Sequence, residues 1–116
     1  MSDLPILDAE SIENLRALGM DGDDSFLREI IGIFVEDTPN RLNEMRQAFA
    51  ANDQATFTRA AHSIKGSASN LGAFRLRALA EKLEHDSKKF TLAGLDAHLP
   101  VMEAEFAAAK IELEKL

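Results

Sequence analysis

Apolar residues recur three or four positions apart along almost the whole chain, and that spacing predicts helices throughout. Asp8 can cap a short first helix with Ile12, Leu15 and Leu18 on its apolar side, ending at Gly19. A long second segment covers about residues 25–51, with Leu27, Ile30, Ile31, Phe34, Thr38, Leu42, Met45 and Phe49 on one stripe. Pro39 falls inside it, so Thr38 either caps a restarted helix or precedes a kink in one long helix. Asn52-Asp53 reads as the next turn, with Asp53 a cap for a third helix whose stripe is Phe57, Ala60, Ala61, Ile64, Ala68 and Leu71. Gly72 is placed to stop that helix in a left-handed conformation.

A fourth helix is expected over about residues 74–87, with Leu76, Leu79, Ala80 and Leu83 inward. The fifth is expected over about residues 95–116, on Leu99, Met102, Phe106, Ala109 and Leu113, with Pro100 opening or bending it. No period-2 run of β-branched residues bounded by turn signals occurs. Four substantial amphipathic helices with short connections predict an all-α, antiparallel four-helix bundle, with the short first helix across one end. No linker or repeat divides the chain, so one domain is expected over residues 1–116.

Composition narrows the function classes. With 46% hydrophobic and 28% charged residues, the 116-residue chain has the make-up of a globular domain. It contains no cysteine, which removes disulfides, thiolate metal sites and cysteine nucleophiles and fits a cytoplasmic location. The N-terminus lacks the basic and apolar regions of a secretory signal, and no stretch is long enough for a membrane span. A net charge of −7, with positive residues scattered among acids, argues against nucleic-acid binding.

The third helix carries the candidate chemistry. At about 100° per residue, His62 points roughly 140° away from the core centre and Gly66 about opposite that centre. Lys65 and Ser69 flank them, so His62, Lys65, Gly66 and Ser69 form one solvent-facing patch. An interior glycine costs a helix about 1 kcal/mol relative to alanine, and close packing does not excuse one that faces water. A missing side chain there leaves room for a group to approach the imidazole, and Lys65 adds a charge that attracts an anion.

The ring also needs an orienting partner. His62 lies ten residues before Gly72 and Glu84 twelve after it, so both sit about 15 Å from the hairpin tip at one height on antiparallel neighbours. Glu84 could bond one ring nitrogen and leave the other exposed as a nucleophile.

The residues Ala61-His62-Ser63-Ile64-Lys65-Gly66-Ser67-Ala68, followed by Leu71-Gly72-Ala73, resemble the signature of histidine-containing phosphotransfer (HPt) domains. Phe34-Val35-Glu36-Asp37-Thr38-Pro39 with Leu42 resembles the family's second helix. Leu83-Glu84 resembles the position where the family carries glutamine or glutamate. The likeness covers most of the chain and is weakest after about residue 87.

It implies a phosphocarrier of a multistep two-component phosphorelay, not a kinase. His62 would accept a phosphoryl group from a receiver-domain aspartyl phosphate and pass it to another receiver. Carried over by position, Lys65 lies near the phosphoryl oxygens, Gly66 leaves them space and Glu84 holds the ring. The implied partners are response-regulator receivers or a hybrid sensor histidine kinase, with the domain itself a monomer. No cofactor is expected on this chain; Mg²⁺ would arrive with the receiver.

A docking face is expected from Phe26 and Ile33, which lie off the second helix's core centre, together with Ile12, Leu15 and Met20. The opposing possibility is that the first helix covers them as core. Arg59 and Arg75 could form a polar rim. Three other readings compete. A metal site could use Glu81, His85 and Asp86 with His62, although H-E-x-x-H is absent. A serine hydrolase fits poorly, since Ser63 and His62 are adjacent on a helix and diverge. A bundle of the same fold could bind response regulators without phosphotransfer, against which the intact His62, Lys65 and Gly66 argue.

Overall fold

The computed structural model describes residues 4–19, 24–89 and 91–116. Its elements are α1 (Ala9–Leu18), α2 (Ser25–Ala50), α3 (Gln54–Asn70), α4 (Phe74–Lys89), a 3-10 turn (Leu95–His98) and α5 (Leu99–Glu114). Helices α2 to α5 form the bundle. α3 packs along α2 on one side and α4 on the other, and α5 closes the bundle against α2 and α4.

The caps explain where the helices begin and end. Asp8 Oδ2 accepts from the Ser11 backbone N–H at 3.0 Å and from the Ser11 hydroxyl at 2.7 Å, starting α1. Asp53 does the same for α3 through Thr56, at 3.1 and 2.7 Å. Those bonds hold its carboxyl below the usual range. Asn52 takes a left-handed φ of 55°, and the Asp53 and Asn52 N–H groups donate to Ala48 and Phe49 carbonyls. Two residues therefore end one helix and start the next.

At the far end of α3, Gly72 has φ of +70°, and Ala73 N–H donates to the Ala68 carbonyl at 2.9 Å. Gly72 has a second role. Its carbonyl accepts from Asp8 N–H at 2.9 Å, and an added Cβ would lie 2.8 Å from the Cβ atoms of both Asp8 and Ser11. The start of α1 is thus seated on the α3–α4 turn, where only glycine leaves room. From there α1 runs against α2, with Arg16 Nε 3.3 Å from Asp24 Oδ1.

Pro39 lies inside a single continuous α2 and does not restart it. Buried Leu27, Phe34, Thr38, Leu42, Met45 and Ala48 fix one face of that helix across the proline. Packing of this face outweighs the one helical hydrogen bond that proline removes from the Val35 carbonyl.

In the last segment, a 3-10 turn precedes α5, and Pro100 opens the helix in its first turn. Gly94, at φ +82°, makes the bend before that turn. The core is a continuous cluster in which Phe34 of α2 and Phe106 of α5 meet at a centroid distance of 5.3 Å. Leu99, Met102, Phe106, Ala109 and Leu113 are all buried. No helix among the described residues is long and apolar enough to cross a membrane.

Candidate functional site

The site forms where α3 and α4 face each other. Phe57, Ala60, Ala61, Ile64 and Ala68 are buried and set the rotation of α3, which turns His62 outward with 64% of its side chain exposed. On α4, buried Leu76, Ala80 and Leu83 set the matching rotation and bring Glu84 into the seam, with only 9% of its side chain exposed. His62 Nδ1 and Glu84 Oε2 are 2.6 Å apart. Nε2 has no hydrogen-bond partner among the described residues.

A polar ladder below this contact holds the two helices in register. Gln54, Thr58 and His62 lie four residues apart on one stripe of α3. The Thr58 and Ser87 hydroxyls are 2.7 Å apart, Ser87 Oγ also donates to the Glu84 carbonyl at 3.1 Å, and Gln54 Nε2 donates to the Ser87 carbonyl. Ser87 is fully buried, so its hydroxyl is held on both sides. The ladder ties the backbone one turn from Glu84 to the α3 stripe that carries His62.

Lys65 reaches across to the same carboxylate, with Nζ 2.6 Å from Glu84 Oε1. Lys88, one turn along α4, places its Nζ 3.6 Å from Oε2. Burial pushes the Glu84 carboxyl up, but hydrogen bonds and charge from Lys65 and His62 outweigh it and hold the group below its ordinary value of 4.5. Glu84 therefore stays ionised and accepts a hydrogen bond from Nδ1–H. That fixes the neutral ring with its lone pair on the exposed Nε2.

One turn beyond His62, an added Cβ at Gly66 would meet nothing within 4 Å. The glycine is thus not required by packing, and its absent side chain leaves the face beside the imidazole open. Ser69 is half-buried further along α3, and no hydrogen bond links it to His62, Lys65 or Glu84. The cleft in front of His62 has a volume of about 670 Å³ and is lined by Gln54, Ala55, Thr58, Arg59, Glu84 and Lys88.

The expected docking face is only partly present. Ile12 is 4% exposed and belongs to the core, because the start of α1 is fastened to the α3–α4 turn and its apolar side faces inward. Leu15 and Phe26 are half-buried, whereas Ile33 is 56% exposed. Met20 lies outside the described residues. Of that set, Arg59 alone lines the His62 cleft. Arg75, expected on the rim, donates instead from Nε to the Leu4 carbonyl at 2.7 Å.

The described residues contain no group of three or more His, Cys, Asp or Glu able to hold a metal ion, so His62, Glu81, His85 and Asp86 are not gathered into one. Sequence reasoning missed Lys88, Thr58, Ser87 and Gln54. The available signals were the four-residue steps back from His62 and the four-residue step on from Glu84.

Fold and site together define a helical bundle displaying one exposed, carboxylate-held histidine. A family model for the Hpt domain matches residues 29–116, and the chain belongs to that family. It is similar to the crystal structure of histidine-containing phosphotransfer protein B (HptB) from Pseudomonas aeruginosa PAO1. The two share 31% identity with a TM-score of 0.86, over 96% of this chain and 93% of that one. It is also 24% identical, over 92% of its length and 70% of the relative's, to histidine-containing phosphotransfer protein 2 of Arabidopsis thaliana.

Proposed function

We propose that the protein is a phosphorelay carrier in which His62 accepts a phosphoryl group from an aspartyl phosphate of a receiver domain and returns it to another receiver. The observation that carries this reading is the exposed His62 ring with Nδ1 held 2.6 Å from a nearly buried Glu84 carboxylate. In the step proposed, the Nε2 lone pair forms the N–P bond as the P–O bond to the donor carboxylate breaks. The carboxylate leaves with the electron pair. The proton stays on Nδ1, hydrogen-bonded to Glu84, so the ring needs no separate base.

Glu84 aims the ring and stabilises the charge it gains, while Lys65 neutralises Glu84 so that this carboxylate does not repel the incoming phosphoryl group. Gly66 leaves the approach open. The Mg²⁺ that phosphoryl transfer commonly uses would be brought by the receiver. Arg59 and the exposed Ile33, with the half-buried Leu15 and Phe26, would serve docking. A module that only binds response regulators would need neither the open space at Gly66 nor a buried carboxylate on the histidine.

The test is incubation with a phosphorylated receiver. An acid-labile, base-stable phosphoprotein is expected, and His62→Gln abolishes it. Labelling that persists in His62→Gln contradicts the assignment.

A further inference from the structure

The transfer places a dianionic group beside an ionised glutamate, and some cation must answer it. Lys65 is already engaged. Its Nζ lies 2.6 Å from Glu84 Oε1 and its side chain is only 27% exposed. Withdrawing it would strip the nearly buried carboxylate of its closest charge partner, a costly change.

Lys88 stands differently. Its Nζ is 3.6 Å from Glu84 Oε2, beyond good hydrogen-bond distance, and its side chain is 62% exposed. That oxygen is the one that holds His62 Nδ1, so the ammonium and the ring share one partner. Lys88 lines both the cleft in front of His62 and the smaller one that includes Glu81, His85 and Lys89, and Lys65 lines the smaller one. Arg59 shares the first cleft, but its Nη2 is directed to Thr56 Oγ1 at 3.4 Å, towards the start of α3.

We propose that Lys88 is the phosphoryl-binding cation of this domain. When His62 Nε2 carries the phosphoryl group, the Lys88 ammonium leaves Glu84 Oε2 and donates to the phosphoryl oxygens, while Lys65 stays on Oε1. The balance favours this exchange. An exposed, loose ion pair contributes little, and a charge-assisted hydrogen bond to a phosphoryl oxygen is among the stronger kinds. The flexible lysine stem lets the ammonium make the move. The proposal deepens the phosphotransfer reading and rests on it.

The experiment phosphorylates the wild-type protein, Lys88→Gln, Lys88→Arg and Lys65→Gln with phosphoramidate and follows the phosphohistidine ³¹P shift against pH. A neighbouring cation favours the dianion, so Lys88→Gln moves the phosphoryl titration upward by about half a unit. Lys88→Arg restores it, and Lys65→Gln moves it less. With a phosphorylated receiver as donor, Lys88→Gln slows labelling about tenfold. Wild-type protein that takes up no phosphoryl group from either donor overturns the function itself. Phosphorylated wild-type protein with an unchanged Lys88→Gln titration, or with a larger shift in Lys65→Gln, overturns the role of Lys88 alone.

Discussion

His62 Nδ1 and Glu84 Oε2 lie 2.6 Å apart across the seam between α3 and α4, and this pair decides how the imidazole presents itself. The exposed ring would otherwise turn freely. Glu84→Ala removes the acceptor and is expected to lower the rate of phosphoryl transfer to His62 about a hundredfold through lost orientation. Glu84→Gln keeps a carbonyl oxygen as acceptor and retains most of the rate. Initial rates from a phosphorylated receiver check this, and equal losses in the two variants would mean that charge, not aim, is what Glu84 supplies.

Gly66 separates folding from transfer. Because an added Cβ meets nothing within 4 Å, Gly66→Ala is expected to raise stability by about 1 kcal/mol in urea unfolding. Gly66→Leu folds as well as the wild type yet blocks labelling of His62. Labelling at the wild-type rate in Gly66→Leu would remove the clearance argument.

Gly72 should behave in the opposite way. A side chain there meets a φ of +70° and carbon atoms of Asp8 and Ser11 at 2.8 Å. Gly72→Ala is expected to cost at least about 1–2 kcal/mol. Faster amide exchange at Ser11 and Ile12 should show α1 detaching first.

The two isoleucines once expected on a single docking face now predict different outcomes. Ile12→Ala opens a cavity in the core and loses about 2–4 kcal/mol of stability with little change in receiver affinity. Ile33→Asp leaves stability within about 0.5 kcal/mol and weakens receiver binding about tenfold. Calorimetric titration with a receiver, alongside unfolding curves, distinguishes them.

Glu84 also gives the protein a pH signature. Its carboxyl is held below the ordinary value of 4.5 in the folded chain, so the unfolded chain takes up that proton first as pH falls. The stability contributed by the ionised carboxylate is fully present above that value and is lost as pH drops through the lower folded one. His62, Lys65 and Lys88 are the titratable groups that face it. The stability gap between wild type and Glu84→Gln should therefore narrow as pH falls below the ordinary value of 4.5. A gap that widens on acidification would contradict the ion-pair geometry.

Much of this architecture is legible in the sequence because helical periodicity and caps are local. Asp8, Asp53 and Gly72 announce helix ends through chemistry confined to a few residues, and the height match of His62 with Glu84 follows from counting along a hairpin. What escaped depends on packing between distant segments. Whether Ile12 faces the core is fixed by the seating of α1 on Gly72, sixty residues away. Pro39 is ambiguous in one dimension, since only the buried face of α2 decides that the helix continues. The second hold on Glu84, from Lys88, is an ordinary four-residue helix spacing until the structure shows the oxygen it shares with His62.

The most direct measurement is the chemical identity of the phosphorylated nitrogen. Protein ¹⁵N-labelled at histidine, phosphorylated by a receiver, should show a ³¹P–¹⁵N coupling at Nε2 of His62, with Nδ1 still protonated against Glu84. A phosphoryl group on Nδ1, on His85 or His98, or absent altogether would contradict the account.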